Sequence, residues 1–330
     1  QHHDTTLTEL SVAVSHATWQ SIVLLSATLP NCTSLKKLSL NRHDLLYEME
    51  ESKLSTLLKS LANHPSLTEL CIQGSSCPPG GIHVIAEHLI GSNNGLEKLD
   101  LSNHRFGMDR LEGMSCLSKA LSTNASLKFL SLAGHELNEE DIHGLCRALN
   151  STSTRIQELC LNDCQITNAG VSIIAQSMIK DGMPSLKALW LNDNPFDEHH
   201  AMSLVNGVQK NMVIECLLLP LNAGYGMNKV QHQVDFWLYL NRIGRRLLLA
   251  HQCSVPPFLW AMILERAVKL KQGNSLSYGY NHHHYYHHQH QQHPQQQDEG
   301  TSAHADHTNL HHQASAIFYL LQHGPIALDR

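Results

Sequence analysis

The chain has 330 residues, 42% of them hydrophobic and 16% charged, with a formal net charge of −6. There is enough apolar residue to bury a large core, too little positive charge for a chain whose main partner is nucleic acid, and no apolar run long enough to cross a membrane. Nine cysteines, an odd count with no CxxC pair, fit reduced thiols in the cytosol or nucleus better than a secreted disulfide framework. Because the chain starts at Gln1, the lack of a signal peptide carries little weight.

From the N-terminus onward one spacing, L-x-x-L-x-L, recurs. It occupies 7–12 (LTELSV), 35–40 (LKKLSL), 67–72 (LTELCI), 96–101 (LEKLDL), 127–132 (LKFLSL), 156–161 (IQELCL), 186–191 (LKALWL) and 214–219 (IECLLL). The steps between windows are 28, 32, 29, 31, 29, 30 and 28 residues, and every aliphatic slot holds Leu, Ile or Val. Self-similarity at that period is the mark of an array. Within each unit the L-x-L part alternates with period two, which predicts a strand with one buried face. About five turn residues follow. Apolar residues then recur at three and four, as in Leu54, Leu57, Leu58 and Leu61, or Val171, Ile174, Ala175 and Met178, which predicts a helix.

A single strand–turn–helix unit cannot cover its own apolar faces, so the units must stack into one core between a strand layer and a helix layer. Parallel strands sit about 4.8 Å apart, whereas packed helices need roughly 8–10 Å. The mismatch predicts a curved α/β stack with a concave parallel sheet and convex helices. Three N-x-S/T sequons, at Asn31, Asn124 and Asn150, point to secretion, yet each lies just before a unit's first aliphatic position, where polar turn residues are needed anyway.

These residues resemble the leucine-rich-repeat family, in its ribonuclease-inhibitor-like class with long, helix-bearing units. The segment 159–178 (LCLNDCQITNAGVSIIAQSM) carries the L-x-x-L-x-L-x-x-(N/C)-x-L signature. The resemblance covers about residues 1–225 and implies a horseshoe that binds other proteins. It also implies that the slot three residues after the last strand aliphatic points inward and bonds backbone of the turn and of the next repeat. That slot holds Ser15, His43, Ser75, His104, His135, Cys164, Asn194 and Asn222, all hydrogen-bonding side chains. His43, His104 and His135 could be read as metal ligands in a row. The structural reading, imidazoles that satisfy buried turns, is preferred, and no metal or other cofactor is expected.

Alternation turns the intervening strand residues to the concave face. Candidate partner-binding residues there are Glu69, Lys98, Asp100, Phe129, Glu158, Cys160, Trp190 and Leu218. Phe129, Trp190 and Leu218 are read as exposed apolar anchors, or else Trp190 and Leu218 as residues beneath a C-terminal cap. Cys160 is read as an exposed thiol, turned away from Cys164. No Cys/His set, P-loop or carboxylate pair stands out away from the repeat slots, so no enzyme is expected, nor a small-molecule substrate.

The array of about eight units is assigned to 1–226. Residues 230–250 predict a helix whose apolar side carries Phe236, Trp237, Leu240, Ile243 and Leu247; 258–270 and 314–323 predict two more. Together 227–272 and 314–330 would cap the open end of the stack. The pieces LNRIGRRLL, VPPFLWAMILERA and YLLQHGPIAL are similar to a tail on uncharacterised leucine-rich-repeat proteins from diatoms. The intervening 273–313, containing NHHHYYHHQHQQHPQQQ, predicts a disordered His/Gln-rich insertion. The function expected is a non-catalytic protein-binding scaffold; the alternative is a sensor or adaptor arm of a longer chain, ubiquitin-ligase-receptor-like or immune-receptor-like.

Overall fold

A computed structural model describes residues 6–12, 19–40, 51–62, 64–73, 80–91, 95–102, 110–180, 182–220 and 225–242. Each predicted window forms a strand: β1 (Glu9–Val12), β2 (Lys37–Leu40), β3 (Glu69–Cys71), β4 (Lys98–Asp100), β5 (Phe129–Ser131), β6 (Glu158–Cys160), β7 (Ala188–Trp190) and β8 (Cys216–Leu218). They form one sheet in chain order β1 to β8, every neighbour parallel and in register, so that Leu38, Leu70, Leu99, Leu130, Leu159, Leu189 and Leu217 make one continuous row. All seven are buried.

Between strands the chain returns through α1 (Trp19–Thr28), α2 (Glu51–Ala62), α3 (Gly81–Ile85, running on as a π-helical turn over Ala86–Gly91), α4 (Arg110–Thr123), α5 (Glu139–Leu149), α6 (Asn168–Lys180) and α7 (Glu198–Lys210). Consecutive helices pack side by side. Their starts are written locally. Asn138 accepts from the Asp141 amide while the Asp141 carboxylate accepts from the Asn138 amide, a reciprocal capping box at α5. At α7, Asp197 accepts from the His200 amide. The helical residues at three-and-four spacing, Leu54, Leu58, Leu61, Ile82, Ile85, Leu89, Val171, Ile174 and Met178, join the strand row in one buried core. This is an α/β leucine-rich-repeat solenoid.

The two ends of the stack differ. After β8 the chain enters α8 (Tyr225–Arg242). Of the residues the sequence predicts on its apolar side, Leu240 is buried and Trp237 packs against the core, but the helix residues buried within that core are Met227, Val230, Val234 and Leu238. Phe236 and Trp237 are half-buried and meet edge-on, centroids 5.2 Å apart. The buried side is chosen by what faces it. Gln231 Oε1 accepts from the Leu219 amide at 2.9 Å and its Nε2 donates to the Leu217 carbonyl at 2.9 Å, so one side-chain amide pairs with the last strand as a further strand would. At the other end Leu7, Leu10 and Val12 are only half-buried, and Val23 and Leu24 on α1 are 42% and 65% exposed. The predicted tail helices beyond Arg242, the insertion 273–313 and the diatom-like pieces beyond that residue lie outside the described residues.

Candidate interaction surface

The sheet face turned away from the helices is set by alternation and register. Its first row runs Glu9, Lys37, Glu69, Lys98, Phe129, Glu158, Ala188, Cys216; in the second, Asp100, Ser131, Cys160, Trp190 and Leu218 stand side by side. The first four strands thus alternate acid and base at one level, and Lys98 Nζ meets Glu69 Oε1 at 2.9 Å. Below them Asp100 is held by its neighbours. Gln73 Nε2 donates to it at 2.6 Å, and the Ser102 hydroxyl and amide donate at 2.5 and 3.0 Å. Ser102 Oγ is also 2.7 Å from Ser131 Oγ. Asp100 is therefore a positioned carboxylate, fixed by hydrogen bonds.

The second half of the face carries an apolar cluster, and it corrects the expectation of exposed anchors at Phe129 and Trp190, though not at Leu218. Phe129 is 8% exposed and Trp190 5%. With Cys160 and Ala188 they form a buried cluster separate from the main core, against which Ala133 and Cys216 pack. Phe129 and Trp190 stand two strands apart, about 9.6 Å by strand spacing. Their rings reach across β6 and meet edge-on with centroids 6.5 Å apart, over Cys160 and Ala188. Alternation says which face a side chain takes; it cannot say how deeply that side chain will be buried there. Cys160 is accordingly buried, contrary to the exposed thiol expected. Leu218 is 37% exposed and Glu158 is half-buried.

The two thiols of 156–166 do lie on opposite sides of the strand layer, Cys160 in the face cluster and Cys164 in the main core. Burial pushes the Cys160 thiol up. Burial, with the Asp100 carboxylate second, pushes Cys71 up to about 12. Both stay protonated at neutral pH, the wrong state for a nucleophile. Among the described residues no group of three His, Cys, Asp or Glu side chains converges to hold a metal.

The inward ladder is seen at three of its slots. His135 Nε2 lies 2.7 Å from the Leu101 carbonyl, and since a carbonyl only accepts, that nitrogen carries the proton. Cys164 Sγ donates to the Leu132 carbonyl at 3.1 Å. Asn194 Nδ2 donates to the Leu161 carbonyl at 2.8 Å, while its Oδ1 accepts from the Cys164 and Ile166 amides at 2.9 and 3.0 Å. Cys164 and Asn194 also bond carbonyls of their own turns, as expected, but the bonds between repeats run to the preceding repeat, where the sequence reading expected the next one. Ser15, His43, Ser75, His104 and Asn222 lie outside the described residues.

Sequence reasoning missed a second ladder, three residues before three of the windows. His64 Nε2 donates to the Leu29 carbonyl at 3.0 Å and its Nδ1 accepts from the Ser66 and Leu67 amides. Asn124 donates to Ile90 and accepts from Ser126 and Leu127; Asn211 donates to Gly182 and accepts from Val213 and Ile214. The signal was present in the Asn124 sequon, whose amide is buried and bonded here. The Asn150 amide is likewise taken up, by Cys146, Ser177 and Met183. Also missed was the slot just before the inward ladder, where Gly134, Asp163 and Asp193 all have φ between 52° and 78°, a left-handed turn that favours Gly, Asn and Asp. A further contact joins two helices, with His83 Nδ1 3.2 Å from Cys116 Sγ; no sequence spacing marked these residues as a pair.

Ribonuclease inhibitor from Sus scrofa is 27% identical over 164 residues, 49% of this chain and 35% of that protein. NACHT, LRR and PYD domains-containing protein 5 from Homo sapiens is 30% identical over 139 residues, 42% of this chain and 11% of that protein. The chain is a leucine-rich-repeat protein, ribonuclease-inhibitor-like. The solenoid thus spans about a third of one relative and a tenth of the other. No protein-family model matches it. Among solved structures, the leucine-rich repeat-containing protein LegL7 from Legionella pneumophila aligns with a TM-score of 0.43 at 14% identity, covering 70% of this chain and 73% of that one.

Proposed function

We propose that the solenoid is a non-catalytic scaffold whose protein partner docks on the sheet face turned away from the helices. One observation carries this reading. In-register strands hold Glu9, Lys37, Glu69 and Lys98 as an alternating charged row beside a packed apolar platform that ends in the exposed Leu218. Groups already fixed in position lose little freedom on binding. Lys98, Glu69 and Leu218 make the contact, Asp100 and Glu158 flank it, and Phe129, Cys160 and Trp190 form its floor. The relatives support it, one being named as an inhibitor of a ribonuclease. The suppressed thiols of Cys71 and Cys160 weigh against catalysis, and the free state of all seven described cysteines favours a reducing compartment. Nucleic acid, membrane and small-molecule ligands are no part of the proposal.

The test is affinity capture from native cells with Lys98→Glu/Leu218→Asp beside the helix-face variant Lys180→Glu. Loss of the same captured protein in the first alone is expected. Retention in the first and loss in the second would place the interface on the helices.

A second reading, the sensor or adaptor arm of a longer protein, is favoured by the half-buried Leu7, Leu10 and Val12 and by Val23 and Leu24. That end offers an apolar edge shaped for one more parallel unit, and the alternating row would place a base opposite Glu9. An immunoblot of the native protein is expected to give a band larger than 330 residues if this holds, and a band of that size if it does not.

A further inference from the structure

We propose that Cys116 and His83 form a hydroperoxide-sensitive thiol site on the helix face of the solenoid, with Cys116 oxidised to a sulfenic acid and His83 as its proton carrier. The pair is built by helix packing. Gly113 stands one turn before Cys116 on α4, and a Cβ there would lie 2.7 Å from Ile82 Cβ on α3. The missing side chain lets the two helices approach closely beside Ile82. The next residue, His83, then reaches Cys116, with Nδ1 3.2 Å from Sγ. His83 is exposed, and Cys116 is half-buried with one side against the core; the sulfur is taken to be reached from the His83 side.

The other described thiols lack one or both conditions. Cys146, Cys160 and Cys164 are buried. Cys71 is suppressed by burial and by Asp100. Cys32 donates to the Thr28 carbonyl of its own turn, and Cys216, half-buried like Cys116, lies on the sheet face against the Phe129–Trp190 cluster. At Cys116 an imidazole nitrogen lies within hydrogen-bonding distance of the sulfur.

The step balances with the peroxide as oxidant. The Cys116 proton passes to His83 Nδ1. The thiolate attacks one peroxide oxygen, an S–O bond forms and the O–O bond breaks. The departing hydroxide takes the proton back from the His83 imidazolium and leaves as water. Sulfur loses two electrons and the peroxide gains them. The neighbouring charges on the two helices are Glu87, one turn on from His83, and Lys119, nearly one turn on from Cys116.

The full chain is treated with substoichiometric hydrogen peroxide in the presence of dimedone, and the label is mapped by peptide mass spectrometry. Cys116 is expected to be labelled ahead of Cys32, Cys71 and Cys216. His83→Gln, which keeps a hydrogen-bonding side chain but cannot carry the proton, and His83→Ala are each expected to slow its labelling by about tenfold or more. Gly113→Ala, which pushes the helices apart, is expected to slow it as well. Labelling of Cys116 at the wild-type rate in His83→Gln overturns the proposal, as does labelling of Cys32 or Cys216 before Cys116. Circular dichroism of each variant separates loss of the pair from loss of the fold.

Discussion

The side chains that set this structure are mostly small amides and imidazoles in turns, doing the work of backbone. His64 illustrates the chemistry. It occupies the slot that Asn124 and Asn211 occupy, donating one bond to the preceding repeat and accepting two from its own turn. Only the neutral imidazole can do both, and burial holds its pKa below the ordinary histidine value. A histidine depressed on folding contributes stability that is present above its unfolded pKa, near 6.5, and lost as pH falls through that value towards the folded one. His64→Asn is therefore expected to fold normally and to lose less thermal stability than the wild type between pH 7 and pH 5, followed by circular dichroism melts. An equal loss in both would mean that His64 is not the titrating group. At this scale the inward ladder was legible, because Cys164 and Asn194 fall at one offset from a pattern that repeats. The second ladder was legible too, at Asn124 and Asn211, but a sequon and a turn residue hid it.

Strands and helices of this chain begin where short polar side chains permit, and the repeats are tied to one another at those points. Asp197 caps α7 through the His200 amide at 2.8 Å. It also accepts from Asn168 Nδ2 at 2.8 Å, while Asn168 Oδ1 accepts from the Asp197 amide at 2.9 Å, so the starts of α6 and α7 hold each other. The bonds from His200 hold the Asp197 carboxyl at about 2. A carboxylate depressed on folding contributes stability present above its unfolded pKa, near 3.9, and lost as pH falls from there towards the folded value. Asp197→Asn keeps a good cap but cannot titrate. Its melting temperature should lie below the wild type at pH 6, and the gap should close by pH 2. A constant gap across that range would remove the charge from the explanation. The helix periods were legible from Leu54 to Met178. The buried side of α8 was legible only in part: Leu240 and Trp237 lie on it, but Met227, Val230, Val234 and Leu238 join the core, on a helix whose Gln231 pairs with β8.

At the largest scale the described repeats form a one-dimensional stack, so each is stabilised by its neighbours and the ends need separate treatment. Gln231 closes one end. Gln231→Leu leaves the Leu219 amide and Leu217 carbonyl buried without it, and is expected to cost about 2 kcal/mol or more in urea unfolding; a midpoint unchanged from wild type would show that the edge does not depend on that amide. What the sequence determined by itself was the repeat: period, strand face, helix face and parallel order all follow from aliphatic spacing, since a unit with one apolar strand face and one apolar helix face can only stack. What the tertiary structure alone decided is what happens between residues that spacing keeps apart. Phe129 and Trp190 meet across an intervening strand, Cys116 meets His83 from 33 residues away, and Gln231 pairs with the last strand. The reason is physical. Periodicity records the direction in which a side chain leaves the backbone, while burial, partner and protonation depend on how far it reaches and on what a neighbouring repeat has placed there.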